Sequence, residues 1–113
     1  MLIQRGDVRI EHSRISNGQA RGFGGGIAVW NADPMIHNSL ISENRSSESG
    51  GGIEIYNSSS PTIIDCEFVN NNTAWDGGGI CIDEQSNPRV ERCAFHNNGA
   101  AVGGGLGMNS SGF

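Results

Sequence analysis

The 113-residue chain has no lysine, three leucines, three prolines and one tyrosine. Seven arginines against twelve acids give a net charge of −5. There is no basic stripe to neutralise phosphates, so nucleic acid is not an expected partner. Three leucines beside twelve isoleucines argue against a helical bundle and against leucine-rich repeats. Long apolar runs are also missing: none approaches the roughly 20 residues of a membrane-spanning helix. The opening MLIQRGDVRIEHS has no apolar segment of the kind a secretory signal carries. The three cysteines, Cys66, Cys81 and Cys93, form no C-x-x-C pair and are odd in number, so neither a disulfide framework nor a zinc site is implied. Leu, Ile, Val and Phe total 24 residues, about 21%, close to the level at which a chain is expected to stay unfolded.

Glycine, serine and asparagine are abundant instead, at 18, 13 and 12 residues, and they are periodic. Triple glycine begins at Gly24, Gly50, Gly77 and Gly103, and the prolines are Pro34, Pro61 and Pro88, so the period is 26–27 residues. Aligned on this period, Ile27, Ile53, Ile80 and Leu106 share a column, as do Val29, Ile55, Ile82 and Met108. Ile10, Ile36, Ile63 and Val90 form a third apolar column, and Ile15, Ile41, Phe68 and Phe95 a fourth. A small-residue column, Ser13, Ser39, Cys66 and Cys93, runs between these last two.

Short alternating segments at a fixed period predict strands that pair with their equivalents one turn later. The expected fold is all-β: a parallel β-helix of about four coils, each 26–27 residues with three short strands, rising about 4.8 Å per coil. So thin a coil needs few inward residues, which accounts for the scarcity of apolar ones. Asn44, Asn71 and Asn98, with Gly18 at the head of their column, are expected to form a structural ladder of amides. Cys66 and Cys93 are expected as interior free thiols, because parallel stacked Cβ vectors are poorly aimed for a disulfide, and Cys81 is expected to point outward. The chain opens in mid-coil and stops soon after the last triple glycine, so residues 1–113 are expected to be one segment of a longer solenoid.

The glycine starts, with Ile41-Ser-Glu-Asn44, Phe68-Val-Asn-Asn71, Phe95-His-Asn-Asn98 and Asn72-Thr73-Ala74, resemble the tandem motifs of the chlamydial polymorphic outer membrane proteins. Their repeat is Gly-Gly-Ala-aliphatic followed by F-x-x-N. This chain has Gly in place of that Ala, and Ile15 and Ile41 where the family has Phe. The resemblance implies a right-handed β-helix of the pectin-lyase-like superfamily, in an exported passenger or surface region that in some cases is an adhesin. An extracellular or cell-surface location follows from the resemblance.

The first strand of each coil should turn outward Ala28, Glu54, Cys81 and Gly107, and then Trp30, Tyr56, Asp83 and Asn109. Exposed rings beside acids are the composition of a sugar-binding face, so Trp30, Glu54, Tyr56 and Asp83 are the candidate ligand-binding residues, with Glu84 beside them. The expected partner is a polysaccharide or a host-surface protein. A share in a carbohydrate-cleaving β-helix enzyme is the alternative. Glycosidic hydrolysis needs two carboxylates about 5–10 Å apart, and Glu54 and Asp83, one coil and two residues apart, are expected at the upper end of that window. The signatures of pectin-cleaving β-helix enzymes, among them Arg-x-Lys, are missing, and no catalytic residue is assigned. His12, His37 and His96 fall in three different columns, so no metal or cofactor is expected. Asp65 and Arg92, neighbours in one column, are expected to form an ion pair between coils.

Overall fold

The computed structural model describes residues 1–6, 8–83 and 85–108. Glu84 and Asn109 lie outside the described residues. The described chain is all strand and turn. The first coil holds β1 (Leu2–Gln4), β2 (Arg9–Glu11), β3 (Arg14–Ser16) and β4 (Gln19–Ala20). The second holds β5 (Ile27–Trp30), β6 (Met35–His37), β7 (Leu40–Ser42) and β8 (Arg45–Ser46). The third holds β9 (Ile53–Tyr56), β10 (Thr62–Ile64), β11 (Glu67–Val69) and β12 (Asn72–Thr73). The fourth holds β13 (Ile80–Ile82), β14 (Arg89–Glu91) and β15 (Ala94–His96), and β16 (Leu106–Met108) opens the next.

Every pairing is parallel and joins one coil to the next: β1-β5-β9-β13-β16, β2-β6-β10-β14, β3-β7-β11-β15 and β4-β8-β12. The architecture is a parallel β-helix of about four coils. Ile27 pairs with Ile53, Ile53 with Ile80, and Ile80 with Leu106, the register set by the repeat. The fourth sheet was not legible in the sequence, because two-residue strands are too short for alternation to show. β1 was missed as well, since no triple glycine precedes it.

At two corners of each coil the chain turns sharply between strands on a single residue in the left-handed region. His12, Asn38, Asp65 and Arg92 have φ of 48°, 49°, 56° and 49°, and Asn17, Glu43, Asn70 and Asn97 have φ of 61°, 57°, 56° and 55°. Asparagine and aspartate tolerate this conformation best. Arg92 and Glu43 adopt it because register pins them above and below equivalents that already do.

The interior is one apolar stack. Ile27, Val29, Ile36, Ile41, Ile53, Ile55, Ile63, Phe68 and Ile80 are fully buried. Phe68 and Phe95 lie face to face, with ring centroids 4.9 Å apart and planes 9° apart. Burial of each such side chain is worth about 1.5–3 kcal/mol.

Polar ladders close the corners. Asn71 Oδ1 accepts from the backbone N–H of Asn44 at 3.1 Å and from its Nδ2 at 3.0 Å. Asn98 Oδ1 does the same for Asn71, at 3.0 Å in both bonds. Each Nδ2 also donates to a carbonyl of the preceding coil, Asn44 to Ile15, Asn71 to Ile41 and Asn98 to Phe68. Gly18 N–H donates to Asn44 Oδ1 at 2.9 Å, so this column begins where the amide gives way to glycine. A second ladder, missed in the sequence, runs through Ala32, Ser59 and Ser86: Ala32 N–H donates to Ser59 Oγ, and Ser59 N–H to Ser86 Oγ. Its signal was a small residue two places before each proline.

Candidate functional site

Trp30 and Tyr56 are register partners at the ends of β5 and β9, and both are half-buried. Phe23, in the turn that precedes β5, packs against Tyr56 with ring centroids 5.8 Å apart and planes tilted by 38°. Three rings from two coils therefore share one edge of the solenoid. Alternation could place Trp30 and Tyr56 but not Phe23, which lies outside any strand.

The two carboxylates expected on this face are not exposed. Glu54 is 1% accessible and Asp83 9%. Cys81, expected outward, is 0% accessible, and Ala28 and Gly107 of the same column are also buried. The correction has a local cause. The first glycine of each triplet sits at positive φ, between 64° and 69°, and curls the preceding turn over the outer side of the strand. A Cβ on Gly50 would lie 2.8 Å from Glu54 Cβ, and one on Gly77 would lie 2.6 Å from Cys81 Cα. Only glycine permits that approach. Strand alternation reads two faces, and here the turn covers the second.

Burial pushes the Cys81 thiol far above its ordinary range, and the carboxylates of Glu54, Asp83 and Asp76 push it further. A thiol held protonated in this way is inert as a nucleophile. All three cysteines are free. Cys66 is buried and Cys93 half-buried, and both occupy the turn role of the serines above them. Ser13 and Ser39 hydroxyls donate to the carbonyls of Glu11 and His37, each at 2.8 Å. Cys66 and Cys93 thiols donate to Ile64 and Glu91 carbonyls at 3.4 and 3.3 Å. The two thiols titrate together. Contact between the two thiols favours the loss of one proton ahead of the other, lowering Cys93 and raising Cys66, which burial raises further.

Asp65 and Arg92 form the expected pair between coils, with Nε–Oδ1 at 2.7 Å and Nη2–Oδ2 at 3.2 Å. The Arg92 guanidinium holds the Asp65 carboxyl below the usual carboxylate range. Asp65 also lines a concavity of about 540 Å³ along the His12–Asn38–Asp65 corner. His12 N–H donates to the His37 carbonyl at 3.2 Å, and among the described residues no three His, Cys, Asp or Glu side chains are grouped as a metal site would require.

A smaller pocket of about 220 Å³ is lined by Phe23, Glu48, Ser49, Trp75 and Asp76. Trp75 is 65% exposed and Phe23 43%. Neither ring was singled out in the sequence, since both lie in the turns between the two-residue strands and the glycines. Their shared signal is an aromatic residue one or two places before a triple glycine.

Stacked four-sided coils with in-register parallel strands and an amide ladder define a parallel β-solenoid. The chain belongs to the right handed beta helix region family, whose model matches residues 1–113. Comparison with curated proteins and with solved structures gives no match. Membership specifies the fold and leaves the activity to be argued from the surface.

Proposed function

We propose that this chain is a non-catalytic β-helix segment of a bacterial surface or secreted protein, and that it binds polysaccharide along the Trp30–Tyr56 edge. The observation that carries this reading is the aromatic row: Trp30 beside Tyr56 in register, with Phe23 packed at 5.8 Å. Half-buried rings offer a rigid apolar surface at little entropic cost, and the phenol and indole supply hydrogen bonds at the rim. Adjacent strands set such rings about 4.8 Å apart, so a chain of sugar rings can contact more than one in succession. The resemblance of the glycine and F-x-x-N motifs to polymorphic outer membrane proteins supports the surface location and an adhesive role. Glu54 and Asp83, the pair that a hydrolytic reading would need, are buried at 1% and 9% accessibility, which weighs against the enzymatic alternative.

A glycan array with the intact chain tests the proposal. At least one polysaccharide should bind, and Trp30→Ala or Tyr56→Ala should weaken it about tenfold while the circular dichroism spectrum is unchanged. No glycan signal, or binding indifferent to both substitutions, overturns it. Release of shorter products from a bound glycan would support the enzymatic alternative instead.

A further inference from the structure

The pocket between Phe23 and Trp75 has a composition of its own. Glu48 N–H donates to the Gly22 carbonyl at 3.1 Å, and Trp75 N–H donates to the Glu48 carbonyl at 2.9 Å. Gly22, Glu48 and Trp75 therefore stack in one column over three coils. The adjoining column runs through Phe23, Ser49 and Asp76, tied by Gly24 N–H to Ser49 O at 3.0 Å and Gly50 N–H to Asp76 O at 2.9 Å. The two rings thus stand two coils apart, about 10 Å at the backbone. The coil between them contributes Glu48 and Ser49 to the pocket, and Glu48 Oε2 lies over Gly22, 3.6 Å from where a Cβ would stand there.

Trp75 has coils on both sides of it, so its 65% exposure comes from its outward projection and not from an open coil end. Both ionisable groups in the pocket are acids, and no arginine lines it. Among the ion pairs of the described residues, Glu48 and Asp76 take no part. The chain as a whole carries −5, which adds long-range attraction for cations. Sugar hydroxyls can also donate to carboxylates, but only a cation gains Coulombic attraction from both acids.

We propose that this pocket binds an organic ammonium cation, its methyl groups held between Phe23 and Trp75 and its charge balanced by Glu48 and Asp76. The negative face of each ring attracts the cation directly, and a quaternary nitrogen is cheap to desolvate compared with a primary amine. The site uses Trp75 and Glu48, which the polysaccharide reading does not, so either reading can fail alone.

The test is a titration of the intact, isotope-labelled chain with choline chloride, followed by nuclear magnetic resonance. The two indole N–H signals are assigned from the one lost in Trp75→Leu. The Trp75 signal should shift saturably with a dissociation constant on the order of millimolar. Glu48→Gln should weaken binding about fivefold, and 3,3-dimethyl-1-butanol, the uncharged isostere of choline, should bind about tenfold less well. Trp75→Leu should abolish the choline-dependent shifts of the Glu48 and Asp76 backbone amides, and because the ring is exposed the fold should be retained. Absence of a saturable Trp75 shift below about 100 mM overturns the proposal. So does an isostere that binds as well as choline, or a shift of the same signal by glucose at equal affinity.

Discussion

A backbone N–H that ends on a side-chain oxygen one coil away is the recurring device of this chain at the scale of single residues. Asn44, Asn71 and Asn98 supply it at one corner, and Ser59 and Ser86 at another. Each places an acceptor inside a bend that water cannot reach, where an unsatisfied donor would cost about 1–3 kcal/mol. The cysteines show how closely the role, and not the residue type, is kept. Cys66 and Cys93 make the same bond to the carbonyl two residues back as Ser13 and Ser39. They differ from the serines in chemistry. Cys93 is half-buried whereas Cys66 and Cys81 are buried, and its thiol is lowered beside Cys66. Iodoacetamide should therefore label Cys93 ahead of Cys66 and Cys81. Peptide mass spectrometry decides it: equal labelling of the three, or Cys66 or Cys81 labelled first, would contradict the assignment.

Strands and turns divide the work unevenly at the scale of elements. The strands, two to four residues long, carry the apolar columns, but the glycine triplets decide which residues see solvent. The first glycine roofs the outer side of the strand, and the second and third sit where neighbouring coils touch backbone to backbone. A Cβ on Gly51 would meet Gly78 O at 2.4 Å and the backbone N and O of Asn72 at 2.7 Å. These backbone atoms belong to the next glycine triplet and to β12, and have no room to yield. Gly51→Ala should therefore destabilise the chain by about 3 kcal/mol or more. At Gly22 a Cβ would meet only Glu48 Oε2, at 3.6 Å, and Gly22→Ala should change stability by less than about 0.5 kcal/mol. Urea denaturation of the two variants side by side checks this, and comparable midpoints would show that the triplet is not a packing requirement.

The whole molecule is a stack in which each coil touches mainly the coil before and the coil after. All strand pairings join residues 26 or 27 apart, so stability should depend on the number of coils rather than on any one long-range contact. Removing residues 50–76, one full coil, joins Ser49 to Gly77 and sets Asn44 beneath Asn98 and Ile41 beneath Phe95. The shortened chain should keep the β-sheet circular dichroism spectrum and melt at a lower temperature. Removing residues 50–62, about half a coil, puts apolar columns against turns and should abolish the fold. Survival of the second deletion, or loss of structure in the first, would contradict the nearest-neighbour description.

How much of this was legible in the sequence follows from where the information lies. The four apolar columns, the asparagine column, the Asp65–Arg92 pair and the parallel register are repeated at a fixed period, so comparison of one coil with the next exposes them. The amides of Asn71 and Asn98 could be paired on paper because stacking needs only equal spacing. Burial of Glu54, Asp83 and Cys81 could not be read that way, because it depends on a turn folding back over a strand. The grouping of Phe23 with Tyr56, and of Phe23 with Trp75, depends on turns from different coils projecting to the same side. Periodicity along one dimension is a property of sequence, and it determined the coil. The outer surface is made where separate turns meet in three dimensions, so only the tertiary structure decided which rings and which acids face a ligand.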